Sequence, residues 1–337
     1  LAQKLADGQL ALFVGAGLSR QGVAKDGSGR KLPLWTELAT QVAAACNEDI
    51  ATYNGNVLDL FDAIVFGQSR FALEEAVRRA IDDGGFEPSP AHAALAPLPW
   101  AGVYTTNYDG LLGRVLNEPP VAEEDHYDRL QRTDWQRPRL FHVHGTLEEP
   151  HTLTREDYRL WPETHPRAYR DLESVLLNKT VLFVGYSLSD PHLADGLLPV
   201  VRKITAGREK RLYAWMWQIP PNQAQLLDRR DKIEAIGIDG DDAWAAAFQQ
   251  LGECLRAASA KGASRVAGAD PYAYDRQQYV AAMEARYGFA NLQGLYVGGA
   301  GYARADVSLE EVFVEPDLEV TPAGPLAAQS SEPTEAL

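Results

Sequence analysis

The sequence predicts an α/β protein with a doubly wound, Rossmann-like parallel sheet and a helical subdomain inserted into it. Short apolar runs typical of buried strands alternate with segments of helical periodicity, and this alternation favours parallel strands joined by right-handed crossovers. The first run, Leu10–Val14, is apolar throughout and stops at Gly15-Ala16-Gly17. Glycine there allows a tight turn and the close approach of a ligand.

The remaining elements follow from the same patterns. Further strands are expected at residues 102–106, 140–144, 181–184, 211–216 and 232–236. Helices are expected at residues 34–46, 57–66, 72–81, 111–116, 155–178, about 192–202, 221–228 and 242–257. Thr36 is placed to cap the first of these helices.

Composition divides the chain into three parts. Residues 1–257 carry the sheet, with a loop at 21–33 and a helical insertion at about 34–97. Residues 258–271, rich in Ala, Ser, Gly and Lys, indicate a linker. Beyond it we expect a helix at 272–287, a short strand at 309–314 and a disordered acidic tail, because residues 305–337 contain four prolines but no Lys or Arg.

Composition also excludes several classes of function. The 337 residues carry a formal charge of -15, which repels nucleic acid phosphates. No apolar run approaches the roughly 20 residues that cross a bilayer, so we expect a cytoplasmic protein without direct nucleic acid or membrane partners. The two cysteines, Cys46 and Cys254, cannot form a four-cysteine zinc site, and we expect both in helices as core residues.

Polar clusters follow the predicted strands at the positions where ligands bind in such sheets. They are residues 15–20, 105–109, 142–146 and 185–190. Because the carboxyl ends of parallel strands meet at one edge, we expect these clusters to form one crevice. Gly15-Ala16-Gly17 after a buried strand is suited to binding a phosphate through backbone N–H groups.

Each cluster also has a structural alternative. Asn107 and Asp109 are suited to capping the following helix, and Gly185-Tyr186-Ser187 to an ordinary turn. His142 and His144 lie two residues apart, on one face of a strand. They are therefore suited either to binding a metal ion as a pair or to burial in the core. The sequence offers no third metal ligand at a telling spacing, and we expect no metal.

Taken together and in chain order, the four clusters resemble the sirtuin family over residues of about 9 to 205. Gly15-Ala16-Gly17-Leu18-Ser19 resembles the first phosphate loop of that family, and Thr106-Asn107-Tyr108-Asp109 resembles its Thr-Gln-Asn-x-Asp stretch. His144-Gly145 is similar to its His-Gly pair, and Gly185-Tyr186-Ser187 to its second nucleotide loop. The resemblance implies a nicotinamide-dinucleotide site.

The chain departs from the protein deacylases of that family in one respect. Those enzymes carry a four-cysteine zinc module between the His-Gly pair and the second glycine loop, whereas residues 146–184 contain no cysteine. The stretch 183–192 instead resembles the sirtuin-like effectors of bacterial anti-phage systems. That likeness implies hydrolysis of NAD+ to nicotinamide and ADP-ribose, with NAD+ as substrate and neither cofactor nor zinc.

The resemblance also implies a role for each site residue. Cleavage of the nicotinamide–ribose bond passes through an oxocarbenium-like sugar, so a site must hold the pyrophosphate, orient the ribose and present water. Asn107, His144 and Asp109 are the expected catalytic residues: Asn107 positions ribose and water, His144 binds a ribose hydroxyl or acts as a base, and Asp109 orients the loop or the sugar. The expected nucleotide-binding residues are Gly15, Ala16, Gly17, Ser19, Gly185, Ser187 and Asp190, with Arg20 a lesser candidate.

The C-terminal residues extend the expectation to other domains. Residues 290–296 and 307–314 resemble the segment before the nucleotide-binding module of bacterial NACHT-type (STAND) ATPases. We therefore expect an N-terminal effector, starting at Leu1 without methionine, from a longer protein whose ATPase and sensor domains recognise a phage component. Self-association into a tetramer or larger oligomer is expected to activate it and to deplete NAD+ in abortive infection. Two alternatives stay open: a non-catalytic module that binds NAD or ADP-ribose, and an NAD-dependent protein deacylase.

Overall fold

A computed structural model of the chain describes residues 1–117, 140–188, 190–204 and 212–265. Spatial contacts divide the chain into one unit of residues 1–263 and a second of residues 264–337. The described residues belong to the first unit, apart from the last two residues of its final helix. The helix, strand and tail predicted after residue 271 lie outside the described residues.

The centre of the described chain is a parallel sheet, as the sequence predicts. The strands in chain order are β1 Leu10–Val14, β2 Val23–Ala24, β3 Phe86–Glu87, β4 Val103–Thr105, β5 Leu140–His142, β6 Thr180–Val184, β7 Leu212–Trp217 and β8 Ile233–Ile238. Six of them form one sheet in the order β5-β4-β1-β6-β7-β8, with every neighbouring pair parallel. This arrangement confirms the Rossmann-like fold class.

The register of the sheet brings the four polar clusters to the same level. Val14 pairs with Thr105 on one side and with Val184 on the other, and Thr105 pairs with His142. In this sheet β4 and β5 lie on one side of β1, and β6, β7 and β8 lie on the other side. In such sheets the crevice between the two central strands, here β1 and β6, is where ligands bind.

Helices cover both faces of the sheet because β1 is apolar on both. Leu10, Leu12 and Val14 pack in one core with Trp244 and Phe248. Ala11 and Phe13 belong to a second core on the opposite face, which contains Leu172 and Leu176. The described helices are Ala2–Ala6, Ala16–Ser19, Trp35–Ala45, Val57–Gly67, Arg70–Ile81, Pro90–Leu95, Leu111–Leu116, Arg155–Thr164, Pro166–Asn178, a π-helical turn His192–Leu197 continued by Leu198–Ile204, Pro221–Asp231 and Asp241–Arg265.

The inserted segment between β1 and β4 has a hydrophobic core of its own. Leu60, Phe61, Leu73 and Val77 are fully buried in it. The inserted segment is not purely helical. Its strands β2 and β3 pair antiparallel and connect the predicted loop at 21–33 to the end of the insertion. Two-residue strands are too short for a period-2 pattern to reveal them.

Several predicted boundaries differ from the structure. The strand at 140–144 ends at His142, and the helix at 155–178 is two helices that meet at His165. Thr36 is not the cap: the first helix of the insertion begins after Leu34, whose N–H donates to Glu37 Oε2 at 2.9 Å. The last helix continues to Arg265, past the compositional change at residue 258.

The two cysteines differ in environment. Cys46 is buried at the end of the helix Trp35–Ala45 and packs in the core of the insertion, as expected. Cys254 is exposed on the last helix, so the prediction of a core position is wrong for this residue. Among the described helices, none has the length and apolar character needed to cross a membrane.

A buried histidine makes the fold sensitive to acid. His92 is fully buried in the helix Pro90–Leu95, and its Nδ1 accepts the backbone N–H of Ser89 at 3.2 Å. Burial lowers the pKa of His92 from 6.5 to about 4, so the unfolded chain binds this proton first as the pH falls. Between pH 7 and pH 5 we expect this group alone to lower the free energy of unfolding by about 2 kcal/mol.

Urea unfolding of wild type and His92→Gln at both pH values measures this effect. The variant lacks the titrating imidazole, so its free energy of unfolding is expected to fall less between pH 7 and pH 5. Equal falls in the two proteins contradict the assignment.

Candidate functional site

A cavity of about 480 Å³ lies at the carboxyl ends of β1, β4, β5, β6 and β7, against the helical insertion. Nine of the ten site residues predicted from the sequence line it: Ala16, Gly17, Ser19, Asn107, Asp109, His144, Gly185, Ser187 and Asp190. The tenth, Gly15, is not in the lining. The four clusters therefore form one site, as the parallel register requires.

The two glycine loops pack directly against each other. A Cβ on Gly17 would lie 2.7 Å from the carbonyl oxygen of Gly185, and a Cβ on Gly15 would lie 2.6 Å from the same atom. Gly185 has a φ of +60°, and a Cβ there would lie 2.4 Å from the backbone nitrogen of Leu18. Only glycine fits these positions, because the backbones of the two loops touch.

This contact corrects one expected role. The N–H of Gly17 donates to the Gly185 carbonyl at 2.8 Å, and the N–H of Gly15 donates to the Val184 carbonyl at 3.0 Å. Two of the three amides predicted to hold a phosphate are therefore engaged within the protein. These glycines shape the junction of β1 and β6, and Ala16, which lies between them, lines the cavity together with Gly17.

Asn107 is held by the end of β4 and by the first glycine loop. The Thr105 hydroxyl donates to the Val14 carbonyl at 3.0 Å and accepts the Asn107 N–H at 3.0 Å. The Asn107 side chain donates from Nδ2 to Ser19 Oγ at 2.8 Å. The amide group is thus fixed across the β1–β4 junction.

Asp109 lines the cavity and stabilises this arrangement. Its carboxylate accepts the Leu111 N–H at 3.2 Å, at the start of the following helix, and a hydrogen bond with the Ser19 side chain favours its charged form. Burial outweighs that effect and raises the pKa of Asp109 above its ordinary value. With only 6% of the residue exposed, these contacts fit the orienting role expected of it better than direct contact with a sugar.

His144 lies two residues past the end of β5 at His142, in a turn built by Gly145. Gly145 has a φ of +87°, and a Cβ there would lie 2.2 Å from His151 Cδ2. His151 N–H also donates to the His144 carbonyl at 2.8 Å, so the turn is fixed on both sides. The positive φ and the close contact explain why a glycine follows His144.

The His144 side chain is buried and neutral. The residue is 3% exposed, and burial lowers its pKa from 6.5 to about 3. Its Nε2 lies 3.4 Å from Asp190 Oδ2, so this is a contact between a neutral ring and a carboxyl group at neutral pH. The neutral ring is the form that accepts a proton or a hydrogen bond.

His142 and His144 do not form the metal pair considered from the sequence. The strand ends at His142, whose Nδ1–H donates to the Asn107 carbonyl at 2.9 Å, whereas His144 lines the cavity. Within the part of the chain that the structure describes, no three His, Cys, Asp or Glu residues are grouped to hold a metal ion.

Sequence reasoning missed several residues of the cavity. Tyr158, on the helix Arg155–Thr164, lines the cavity and donates to Asp190 Oδ2 at 3.2 Å. Met216 and Trp217 line it at the end of β7, and their position at the end of a predicted strand was the signal available. The segment inserted between β1 and β4 contributes an apolar wall of the cavity, and no pattern in the sequence marks these residues. They are Leu32, Pro33, Leu34, Trp35, Leu38 and Ile81.

The lesser candidate Arg20 lies behind this wall. It forms an ion pair with Glu37 and donates to the Leu32 carbonyl at 3.4 Å. Glu37 in turn accepts the Leu34 N–H, so Arg20 joins the first glycine loop to the start of the insertion. Arg20 is not part of the lining.

Comparison with known proteins supports the likeness seen in the motifs. A family model described as a SIR2-like domain matches residues 101–238, which include β4 to β8 but not the first glycine loop. An Acinetobacter baumannii (strain 532279) protein named NAD(+) hydrolase ThsA is 30% identical over 210 residues, 60% of this chain and 41% of that protein.

Proteins of the same name from two other bacteria are also similar. The Enterococcus faecium protein is 28% identical over 234 residues, 65% of this chain and 45% of the relative. The Bacillus cereus (strain MSX-D12) protein is 33% identical over 127 residues, 36% of this chain and 26% of the relative. The alignments thus span less than half the length of these curated relatives.

Proposed function

We propose that this chain hydrolyses NAD+ to nicotinamide and ADP-ribose. The observation that carries the proposal is the convergence of Asn107, His144 and both glycine loops on one cavity at the β1–β6 crevice. The names of the relatives, NAD(+) hydrolases, support the same substrate. NAD+ is consumed as the substrate, and the proposal needs neither a cofactor nor zinc.

The reaction breaks the bond between ribose C1′ and the nicotinamide nitrogen. The electron pair of that bond returns to the nicotinamide ring, which leaves neutral, while a water oxygen bonds to C1′ and its proton is released. The sugar carries positive charge in between, which negative or dipolar groups in the cavity stabilise. We assign the orientation of ribose and water to Asn107 and the acceptance of a proton or hydroxyl hydrogen bond to His144.

The pyrophosphate has fewer partners than the sequence suggested. Since the amides of Gly15 and Gly17 are engaged, we assign phosphate binding to Ala16 and to the Ser19 and Ser187 region of the two loops. The wall formed by Leu34 and Trp35 excludes water from one side of the cavity and favours the flat, apolar faces of a dinucleotide.

We further propose a biological role that follows from the resemblance to anti-phage effectors. In it, the chain acts on the cytoplasmic NAD+ pool as the effector part of a longer protein, whose NACHT-type ATPase and sensor domains respond to a phage component. Assembly into a tetramer or larger oligomer activates it, and depletion of NAD+ aborts the infection.

Incubation of the full chain with NAD+ and quantification of nicotinamide and ADP-ribose tests the activity. Asn107→Ala is expected to lower kcat by about 10²-fold, because the ribose and water lose their positioning hydrogen bond. Asn178→Ala is the matched control, since Asn178 Nδ2 donates to Ser174 Oγ at 3.2 Å on the exposed face of its helix.

Three results would contradict or redirect the proposal. Binding of NAD+ by calorimetry without release of nicotinamide favours the non-catalytic binding module. Release of acetyl groups from acetyl-lysine peptides favours the deacylase. Equal activity of Asn107→Ala and Asn178→Ala excludes the assigned role of Asn107.

A further inference from the structure

Beside His144 the cavity contains a polar group that the proposed reaction has not yet used. Asp190 Oδ2 lies 3.4 Å from His144 Nε2 and accepts the hydroxyl of Tyr158 at 3.2 Å. The three side chains come from three elements: the turn after β5, the loop after β6 and the helix Arg155–Thr164. All three line the cavity.

The side chains of this group are largely buried, which strengthens the electrostatic interactions between them. The Asp190 side chain is 11% exposed and that of His144 is 4% exposed. Burial, together with the nearby Asp190 charge, raises the pKa of Tyr158 well above its ordinary value, so the hydroxyl remains a donor at all working pH values. The Tyr158 and His144 rings are in edge contact at 5.3 Å between centroids, which fixes the imidazole plane.

From this geometry we propose, on the basis of the proposed NAD+ hydrolysis, that Asp190 and Tyr158 are positioning residues that orient the His144 imidazole. At 3.4 Å the Asp190 carboxylate favours the neutral tautomer that carries its proton on Nε2, and this tautomer presents Nδ1 as the acceptor. When Nδ1 takes a proton from water or a ribose hydroxyl, the carboxylate balances the charge that the ring gains. Tyr158 holds Oδ2 toward Nε2.

This role differs from the nucleotide contact that the sequence suggested for Asp190. A residue that only binds nucleotide affects KM, whereas a residue that orients a base affects kcat. Another aromatic neighbour, Tyr108, lies 6.5 Å from the His144 ring between centroids and donates its hydroxyl to the Thr152 carbonyl. The Tyr108 hydroxyl is thus engaged by the Thr152 carbonyl, whereas the Asp190 carboxyl group faces His144 Nε2.

Steady-state kinetics of Asp190→Asn and Tyr158→Phe form the first arm of the test. We expect kcat to fall by about 10–100-fold in Asp190→Asn and about 3–10-fold in Tyr158→Phe, with KM within about threefold of wild type. The matched control is Tyr104→Phe, which removes a tyrosine–aspartate hydrogen bond of 3.1 Å to Asp171 outside the cavity lining and is expected to retain wild-type kcat. A rise in KM at unchanged kcat in Asp190→Asn overturns the proposal in favour of a nucleotide contact.

The second arm measures the tautomer of His144 without NAD+. Long-range proton–nitrogen spectra of the 15N-histidine-labelled chain, assigned by the loss of one ring in His144→Gln, are expected to show the proton on Nε2. In Asp190→Asn the proton is expected to move toward Nδ1. A proton on Nδ1 in the wild type, or no change in the variant, overturns the proposal.

The two arms separate this proposal from NAD+ hydrolysis itself. If the wild-type chain releases no nicotinamide, the proposed function fails and the tautomer alone decides the positioning role. If the wild type is active and Asp190→Asn matches it in both arms, the positioning role fails and the activity stands.

Discussion

Replacement of His144 by glutamine is expected to lower kcat for nicotinamide release by about 10²–10⁴-fold, the range that a positioned acid or base contributes. Glutamine fills much of the volume of the imidazole but cannot take a proton. Because the main role assigned to His144 is in the chemical step, we expect kcat to fall far more than the affinity for NAD+, measured by calorimetry.

A second buried histidine provides the control for this substitution. His92 is fully buried and also has a lowered pKa, but it lies on the helix Pro90–Leu95 and is not in the cavity lining. His92→Gln is expected to retain kcat, measured at pH 7 where both proteins are folded. If His144→Gln keeps wild-type kcat, or if both variants lose it equally, the role of His144 in the reaction is excluded.

Replacement of Gly185 by alanine is expected to reduce both stability and NAD+ binding. A left-handed backbone at φ +60° costs about 1–2 kcal/mol for a residue with a Cβ. The Cβ would also lie 2.4 Å from the backbone nitrogen of Leu18, and displacing that backbone adds about 1–3 kcal/mol. We therefore expect the free energy of unfolding to fall by about 3 kcal/mol in total.

Gly29→Ala separates the two contributions. Gly29 has a similar φ of +71°, and no atom lies within 4 Å of the position of its Cβ. Only the cost of the backbone conformation applies there, so about 1 kcal/mol is expected in urea unfolding. NAD+ binding should weaken in Gly185→Ala and stay unchanged in Gly29→Ala. Equal losses of stability at the two sites contradict a close contact between the glycine loops.

The fold class could be predicted because its signals are local. A strand buried on both faces must be apolar at every position, and Leu10–Val14 and Val181–Val184 satisfy this requirement. Helix boundaries were less accurate because packing, rather than local propensity, decided them. The last helix runs through small and polar residues to Arg265, and the π-helical turn His192–Leu197 has no distinct sequence pattern.

The candidate site was predictable only as far as it lies at strand ends. Asn107, His144 and Gly185 each follow a strand closely, so the parallel topology alone brings them together. Tyr158 and Trp35 lie on helices far from these strands in sequence, and no periodicity marks a helix residue that faces a cavity.

The sequence by itself determined the parallel α/β sheet, the two glycine loops and the polar residues after each strand, because strand burial and backbone turns depend on local residue types. Only the tertiary structure decided what those residues contact. It engages the amides of Gly15 and Gly17 between the loops, and it joins His144, Asp190 and Tyr158 from three separate elements. Contacts between distant segments depend on the order and register of strands, which residue patterns along the chain do not specify.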